Sequence, residues 1–559
     1  MKPSLTISLQ HAYSCEVPSD HKKIKQSRMK RFFPSTVLCL FCGIALSILL
    51  AGCKKSLLDV SNNSSAVQTS QYFTTVAQCN TSTQVCYRYI DWDSWWQILN
   101  WRYLSGEAAS DNGWIGNTYQ ATHATYNAVS EYTLDAGNDR NEAQWIELYK
   151  SIGIFNSTIE GIQGAPIDDA NKNKFLAELK FMRAWCYFDL VRNYGGVPLV
   201  LKIYPANTHL PRNTVKEVYD QLASDLKEAA AVLPKKSAYP ASDKFRASSG
   251  AAWALLAKIY LYAEDWANAE NAALQVINSN DYQLETNFGT LWDYNYKNGQ
   301  ESIFEVQNAS SQNPALPSCA LYLMNGVPDG GWGYYSVTSD LENAYIAAGD
   351  SIRKVWTINR QGKPVAGDPN NTSFNGGGYP ATQSKSGRFS RKWYVPKSQR
   401  PANGLYGRDD IILRFADVLL IHAEACAMQN KTADALTSLK KVRDRVGLTT
   451  DMSLTSWNLI NAVRMERRLE MAFEGDRLYD IRRWKNQAGK PVITDILGPN
   501  GSFVKYNTQT STDIFETKNT IETQTKGIHF DPAVHLLWPI PNSELVASGN
   551  VVKQNPGYN

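Results

Sequence analysis

The sequence predicts a mainly α-helical protein in which paired helices form a scaffold and a loop-rich second layer is set upon it. Apolar residues recur at helical spacing through two long blocks of the chain, and within each block two such stretches are joined by a turn of a few residues. Between the blocks, over roughly residues 286–410, Gly, Pro, Asn and aromatic residues replace any regular period. A stretch that long without periodicity inside a folded protein is usually functional.

In the first block, Trp145, Tyr149, Ile152, Asn156 and Ile159 mark one face of a helix. Lys172 to Tyr194 is apolar nearly all round, through Phe175, Leu179, Trp185, Phe188 and Leu190, which predicts burial between neighbours. Gly195-Gly196 stops this helix and Val197-Pro198-Leu199 continues it as extended chain. Thr214 and Glu217 make a capping box for a helix ending at Leu233-Pro234. Trp253-x-x-Leu256-Ala257-x-x-Tyr260, with Ala269 on the next helix, fits the tetratricopeptide pattern, although Ala273 and Asp281 stand where Phe and Pro are usual. Small Ala257 and Ala269 let two helices approach, Trp253, Leu256 and Tyr260 fill the groove between them, and Asp265-Trp266 makes the turn. The second block repeats this design: a buried helix over Leu413–Met428, a turn at Gln429-Asn430-Lys431, a returning helix over Ala433–Val446, and a longer helical region over Thr455–Trp484 interrupted near Gly475. A polar insert spans about Lys505 to Lys526.

The first 52 residues do not read as folded structure. Lys30 and Arg31 precede the uncharged apolar run Val37–Leu50, and Leu50-Ala51-Gly52-Cys53 follows, with the form of a secretory signal whose cleavage exposes a cysteine for acylation. Met29 makes a better start for that signal than Met1. The apolar run is at the short limit for a membrane span. The expectation is a lipid anchor on Cys53, two or more acyl chains giving a stable hold, then a polar tether through Asn62-Asn63-Ser64-Ser65. The chain thus divides into leader (1–52), anchor and tether (53–90), first scaffold part (91–285), loop-rich layer (286–410), second scaffold part (411–485) and C-terminal capping segment (486–559).

The 57 Lys and Arg against 53 Asp and Glu suggest a basic protein, but the leader holds seven bases and two acids, leaving 50 against 51. Near-neutral balance with no basic tract argues against nucleic acid as a partner. Cys79 and Cys86 are close enough in sequence for a disulfide in an exported chain, with two free thiols the alternative. Cys186 and Cys426 fall in apolar helical stretches and read as small core residues.

No segment after the leader carries a P-loop, a zincin His-Glu-x-x-His or a paired Cys-x-x-Cys, so the sequence points to no cofactor, no metal and no catalytic residue. His422, on an otherwise apolar helix, reads as a satisfied core histidine. The densest charge lies in Arg464–Glu470, Glu474–Arg477 and Asp480–Arg483. Glu466, Glu470 and Glu474 share a helix face, but their arginine neighbours would keep them ionised, which suits an ion-pair network better than acid catalysis. The aromatic content is the better lead. Trp92, Trp95, Trp96 and Trp101 are spaced as a packed helix, whereas Trp114 follows Asn112-Gly113, and Trp332-Gly333-Tyr334-Tyr335 follows Asp329-Gly330-Gly331. A flat ring face suits the C–H face of a sugar while neighbouring polar groups meet its hydroxyls. Asn112, Trp114, Trp332, Tyr334 and Tyr335 are the candidate ligand residues, with an exposed ring and a packed one both open for Trp114 and Trp332.

In order along the chain, the sequence resembles the SusD/RagB family of outer-membrane nutrient-binding lipoproteins. The segments that carry this are Cys53–Asp59, Ala177–Ala184, Tyr194–Pro198, Leu255–Leu261, Leu413–Leu420 with Ala423-Glu424-Ala425, Arg443–Gly447, Glu466–Glu470 with Phe473–Arg477, Leu537–Pro541 and Gln554–Tyr558. The resemblance implies an α/α superhelix of four tetratricopeptide-like hairpins with an irregular ligand-facing subdomain. It also implies a non-enzymatic protein that caps a TonB-dependent transporter of the SusC/RagA kind at the cell surface and delivers glycans, or in some members peptides. Family ligand residues lie in variable loops, so none is carried over to this chain.

Overall fold

Caps and turns set where each helix of the scaffold begins and ends. The computed structural model describes residues 72–90, 98–115, 124–309, 336–368, 386–402, 406–516 and 525–558, all within one compact unit, Lys55–Asn559. The leader, Cys53 and the tether lie outside the described residues. Helix α1 (Val76–Cys86) starts on a Thr75/Gln78 capping box. Helix α2 (Ile98–Tyr103) runs on into a π-helical turn, Leu104–Ala108, and α3 (Ala124–Glu131) follows. Asn138 caps α4 (Asp139–Gln163) and Asp168 caps α5 (Asp169–Tyr194), whose end is set by Gly195 at a φ of +74°. The expected Thr214/Glu217 box starts α6 (Val215–Val232). Ser248 caps α7 (Ser249–Tyr262) and Asp265 caps α8 (Trp266–Ile277).

These helices stack in series, α4 on α5, α5 on α6, α6 on α7 and α7 on α8. Short connections make neighbours antiparallel. The stack does not end where the first block does. Helix α8 packs on α11 (Phe415–Met428), which packs on α12 (Thr432–Asp444) and α13 (Ser456–Glu470). Ala257, Ala269 and Ala423 are fully buried, because close helix contacts leave no room for larger side chains there. Helices α5, α7 and α11 have neighbours on more than one side, which is why their sequences are apolar nearly all round.

The layer between the blocks is more regular than its sequence suggests. It holds strands β2 (Ser302–Val306), β3 (Ser336–Val337), β4 (Ile358–Arg360) and β5 (Arg388–Ser390), and helices α9 (Ser339–Ala347) and α10 (Ser351–Thr357). Antiparallel to β2 runs β6 (Asp410–Arg414), so Leu413 and Arg414 close a strand and the helix begins at Phe415. A second sheet has the order β1-β3-β5-β4, where β1 is Gly113–Trp114. These strands are too short to print a period, and β2, β3, β5 and β6 are buried along their whole length, so polar and apolar residues do not alternate.

The expected break in the last long helix is real. Helix α13 ends at Glu470 and α14 spans Arg477–Arg483; Phe473 and Gly475 between them have φ of +61° and +84°. A Cβ on Gly106, in the π-helical turn, would lie 2.3 Å from the Gly475 carbonyl oxygen. The two backbones therefore touch, which joins the N-terminal segment to the break.

Buried ion pairs occupy this junction. Asp476 meets Arg102 (3.2 Å), Arg192 (3.1 Å), Arg467 (3.4 Å) and, at short range, Lys258. Burial alone would raise its pKa, but these four cations hold its carboxyl well below the usual carboxylate range. Lys258 also meets Asp417 (2.9 Å), and Arg467 meets Asp480 (2.7 Å). A second knot forms where Glu470 takes Arg353 (2.9 Å), Arg414 and Arg445, and Arg414 reaches on to Glu301 (2.9 Å) and Glu474 (2.7 Å). The Glu466, Glu470 and Glu474 carboxylates thus belong to an ion-pair network, as expected, but their cations, Arg353, Arg414 and Arg445 among them, are not the neighbouring arginines of the same stretch. Cys79 and Cys86 are both buried free thiols; seven residues along one helix puts them about 10 Å apart, beyond disulfide reach, so the candidate bridge is corrected. Among the described residues, no helix is long and apolar enough to cross a membrane.

The contact between Gly106 and Gly475 makes a strong expectation. Gly106→Ala drives a methyl group into backbone that cannot retreat, and should lower unfolding free energy by about 1–3 kcal/mol in urea titration.

Candidate functional site

The small sheet places Trp114, with Asn112 just before it, at one corner of the second layer. In its register Trp114 pairs with Ser336 and Gly113 with Val337. Asn112 and Trp114 therefore lie on the strand next to the one that Trp332, Tyr334 and Tyr335 lead into along the chain. Those last three lie outside the described residues, as do Trp92, Trp95 and Trp96. The same corner holds Ile115, Ser386, Glu516 and Thr525, the described residues bordering segments 116–123, 369–385 and 517–524.

Asn112 and Trp114 are both buried, so of the two readings for Trp114 the packed ring holds. The Trp114 indole N–H donates to Glu516 Oε1 at 2.8 Å, and its ring packs against Phe503 with centroids 6.2 Å apart. Asn112 Nδ2 donates to Glu107 Oε2 (3.1 Å), and Asn112 Oδ1 accepts from Arg468 Nε (3.0 Å). A Cβ on Gly113 would sit 3.1 Å from the Glu107 carbonyl. The glycine beside Trp114 thus marks a tight backbone approach, not an open loop. Trp101 is buried on α2, as its spacing suggested.

Charged groups that the sequence did not flag build the floor of this corner. Glu516 accepts from Ser339 N at 2.9 and 3.0 Å, from the Ser339 hydroxyl and from Trp114. Burial pushes its carboxyl up to about 7, against the opposing pull of Arg388 and these hydrogen bonds. Both oxygens are already occupied by donors, so this is a fastening and not a poised general acid. Lys526 lies over the Trp114 ring, 5.4 Å from its centroid. Burial lowers its ammonium to about 7, with Asp111 and Glu516 pulling the other way. Arg388 on β5 donates to Glu342 Oε2 (2.6 Å) and pairs with Asp513, tying the sheet to α9 and to the segment before Glu516. Asp111 takes Arg477 (2.8 Å) and Arg468 (3.1 Å), which links the corner to the central ion network. Glu516 and Lys526 are separated by hundreds of residues from Trp114, so no local spacing could have revealed them.

A concavity of about 340 Å³ opens on the helical scaffold between α6, α7 and α8. Trp253 lines it together with Lys235, Gln275, Asn278 and Asp281. Trp253 was expected to fill an interhelical groove; it is half-buried and one side faces this cavity.

The architecture is that of a helical-hairpin scaffold carrying a ligand-layer candidate at one corner. A model described as "Starch-binding associating with outer membrane" matches residues 56–261, and one described as the SusD family matches residues 289–558. The chain belongs to the SusD/RagB family. "SusD-like protein P2" of Formosa agariphila is 27% identical over 92% of this chain and 98% of its own length. A "SusD-like protein" of Bacteroides ovatus is 28% identical over 63% of this chain and 67% of its own. Among solved structures, a "Laminarin binding SusD-like protein" has the same fold, with a TM-score of 0.68 at 23% identity over 87% of this chain and all of its own. "Surface glycan-binding protein A" from Bacteroides fluxus gives 0.69 at 21% identity over 87% and 100%.

The pH response of the corner follows from the signs of its two shifts. Glu516 has a raised pKa, so its contribution is complete below the unfolded value near 4.5 and is lost as pH climbs to about 7. Lys526 has a lowered pKa, so stability rises again from about 7 towards 10.5. Glu516→Gln should remove the acid-side loss, flattening a difference of up to ~1.4 kcal/mol per pH unit between pH 4.5 and 7, as read by urea denaturation of the two proteins side by side.

Proposed function

We propose that the protein is a lipid-anchored binding protein of the outer membrane that faces the cell exterior. It captures an oligosaccharide or polysaccharide and delivers it to a partner TonB-dependent transporter of the SusC/RagA kind. The observation that carries the ligand site is the β1–β3 pairing. It brings the Asn112–Trp114 strand beside the strand that follows Trp332, Tyr334 and Tyr335, on a floor fixed by buried hydrogen bonds and ion pairs. A rigid floor with aromatic segments leading from it suits sugar recognition, where ring faces supply area and a few polar groups set orientation. The names of the relatives, laminarin-binding and surface glycan-binding, favour a glycan over the peptide that is the second reading.

The mechanism is that of a lid. Acylation of Cys53 keeps the protein beside its transporter at high effective concentration. Ligand held between lid and barrel favours the closed state through contacts that exist only there. No bond in the ligand is made or broken. The acidic residues of the Glu466–Asp480 stretch are ion-paired, which leaves them unsuited to hydrolysis.

Affinity electrophoresis against a panel of polysaccharides, with peptides tested by calorimetry, should show saturable retention by a glycan and no product. Trp332→Ala should weaken that affinity about tenfold, ~1.4 kcal/mol, the scale of one lost ring contact. Unchanged affinity in Trp332→Ala and in a Tyr334→Ala/Tyr335→Ala protein would remove the corner as the site. Cys53→Ala should fold and bind the same glycan yet fail to support its uptake by cells; surviving uptake would make the tether dispensable.

A further inference from the structure

Away from the corner and the ion network, one cluster unites three different metal-binding side chains. His422 and Cys426 stand four residues apart on α11 and so share a face, and Glu270 of α8 meets them across the contact between the two helices. All three are buried, with Cys426 fully so and Glu270 and His422 keeping 8% and 6% of their surface. One nitrogen, one sulfur and one carboxylate oxygen from these residues all lie within 4.8 Å of one another.

The detail of the cluster is that of a ligand set. His422 Nδ1 is 2.9 Å from Ser438 Oγ of α12. With Nδ1–H donating to that hydroxyl, Nε2 keeps its lone pair; Cys426 Sγ lies 3.6 Å from Nε2 and 3.9 Å from Nδ1, so the sulfur sits beside the ring. Bonds of about 2.0 Å to nitrogen and 2.3 Å to sulfur need the sulfur in front of the Nε2 lone pair, so an ion would draw Cys426 into another rotamer. An outer hydrogen bond that fixes the ring tautomer is the usual support of a metal-bound histidine. Glu270 is held through its other oxygen: Oε2 accepts from Gln429 Nε2 at 2.7 Å and pairs with Lys431 Nζ at 2.5 Å. That leaves Oε1 as the oxygen an ion would take.

We propose that Glu270, His422 and Cys426 form a Zn²⁺ site with three protein ligands and a fourth position for water, clamping α8 to α11. The mixed nitrogen, sulfur and oxygen set suits a borderline ion and is wrong for Ca²⁺ or Mg²⁺, which take oxygen. Burial holds His422 below its ordinary value, against the pull of Glu270 and Asp434, so at neutral pH it is an uncharged ligand. Burial pushes the Cys426 thiol up to about 12, with Glu270 and Asp434 raising it and Lys431 lowering it. A thiol binds zinc as thiolate, so the zinc–sulfur bond forms with release of one proton per ion to solvent. Lys441 and Lys431 are the cations near the ring, and Lys431 helps keep Glu270 ionised.

The test is titration of the purified, chelator-stripped protein with ZnCl₂, and with Co²⁺ as an absorbing stand-in. The wild type should take up one Zn²⁺ at saturation, release about one proton in doing so, and gain thermal stability as zinc rises. Co²⁺ should give a near-ultraviolet thiolate band. Cys426→Ser should abolish that band and weaken zinc binding at least tenfold; Glu270→Gln should keep the band and weaken zinc by a similar factor. A wild type with no saturable uptake overturns the site, as does a folded Cys426→Ser or Glu270→Gln protein that binds zinc as the wild type does.

Discussion

Four cations from separate parts of the chain converge on one carboxylate, Asp476. Arg102 comes from the N-terminal segment, Arg192 and Lys258 from two helices of the first block, and Arg467 from the last long helix. An isolated charge at such depth would be prohibitively costly, and a pair is stable only when geometry and extra hydrogen bonds offset desolvation. Each group here is buried and shared, so no member can leave without stranding the others. Breaking such a pair strands a buried charge, so the elements that carry these five charges are held together by the cost of separating them. The positive φ at Phe473 and Gly475 is the backbone that turns Asp476 into the knot.

From this knot the pairs spread outward. Asp417 and Asp480 extend it into α11 and α14, while Glu470 gathers Arg353, Arg414 and Arg445 and carries it to Glu301 beside β2. Arg468 and Arg477 reach Asp111, two residues from the β1 strand that bears Trp114. The candidate ligand corner is therefore not a loop cluster resting on a scaffold; its floor is bolted to the same ionic frame that holds the hairpins together. For ligand binding, such a floor matters because a preorganised surface loses less entropy when ligand arrives.

The helical scaffold was legible in the sequence because helices print a period and caps. The Thr214/Glu217 box, the Asp265 turn and the break near Gly475 all stand where local residues put them. Charge density in Glu466–Asp480 likewise pointed to an ion-pair network, but Glu466, Glu470 and Glu474 take their cations from elsewhere in the chain, Arg353, Arg414 and Arg445 among them. What local spacing cannot show is a partner such as Lys258 or Arg102, hundreds of residues away. The strands of the second layer escaped for another reason: at two to five residues, and buried, they have no alternation to read. Trp114 stayed undecided because Asn-Gly before a ring signals a loop, whereas Gly113 is there to let β1 pass the Glu107 carbonyl. Glu516 and Lys526, which fasten that ring, carry no sequence signal at all. His422 was legible as a buried histidine, but its neighbourhood with Glu270 exists only through the packing of α8 on α11.

The claim that Asp476 unites the N-terminal segment, the helical stack and the second layer is tested most directly by hydrogen–deuterium exchange of Asp476→Asn against the wild type. Removing one partner from a buried ionic knot strands its cations and should cost about 3–5 kcal/mol. If the knot is the common frame, peptides covering Tyr103–Trp114, Asp189–Tyr194, Ala254–Leu261 and Val463–Arg483 lose protection together and by a similar factor. Loss confined to the residues around 471–477, with the other three segments protected as before, would contradict it.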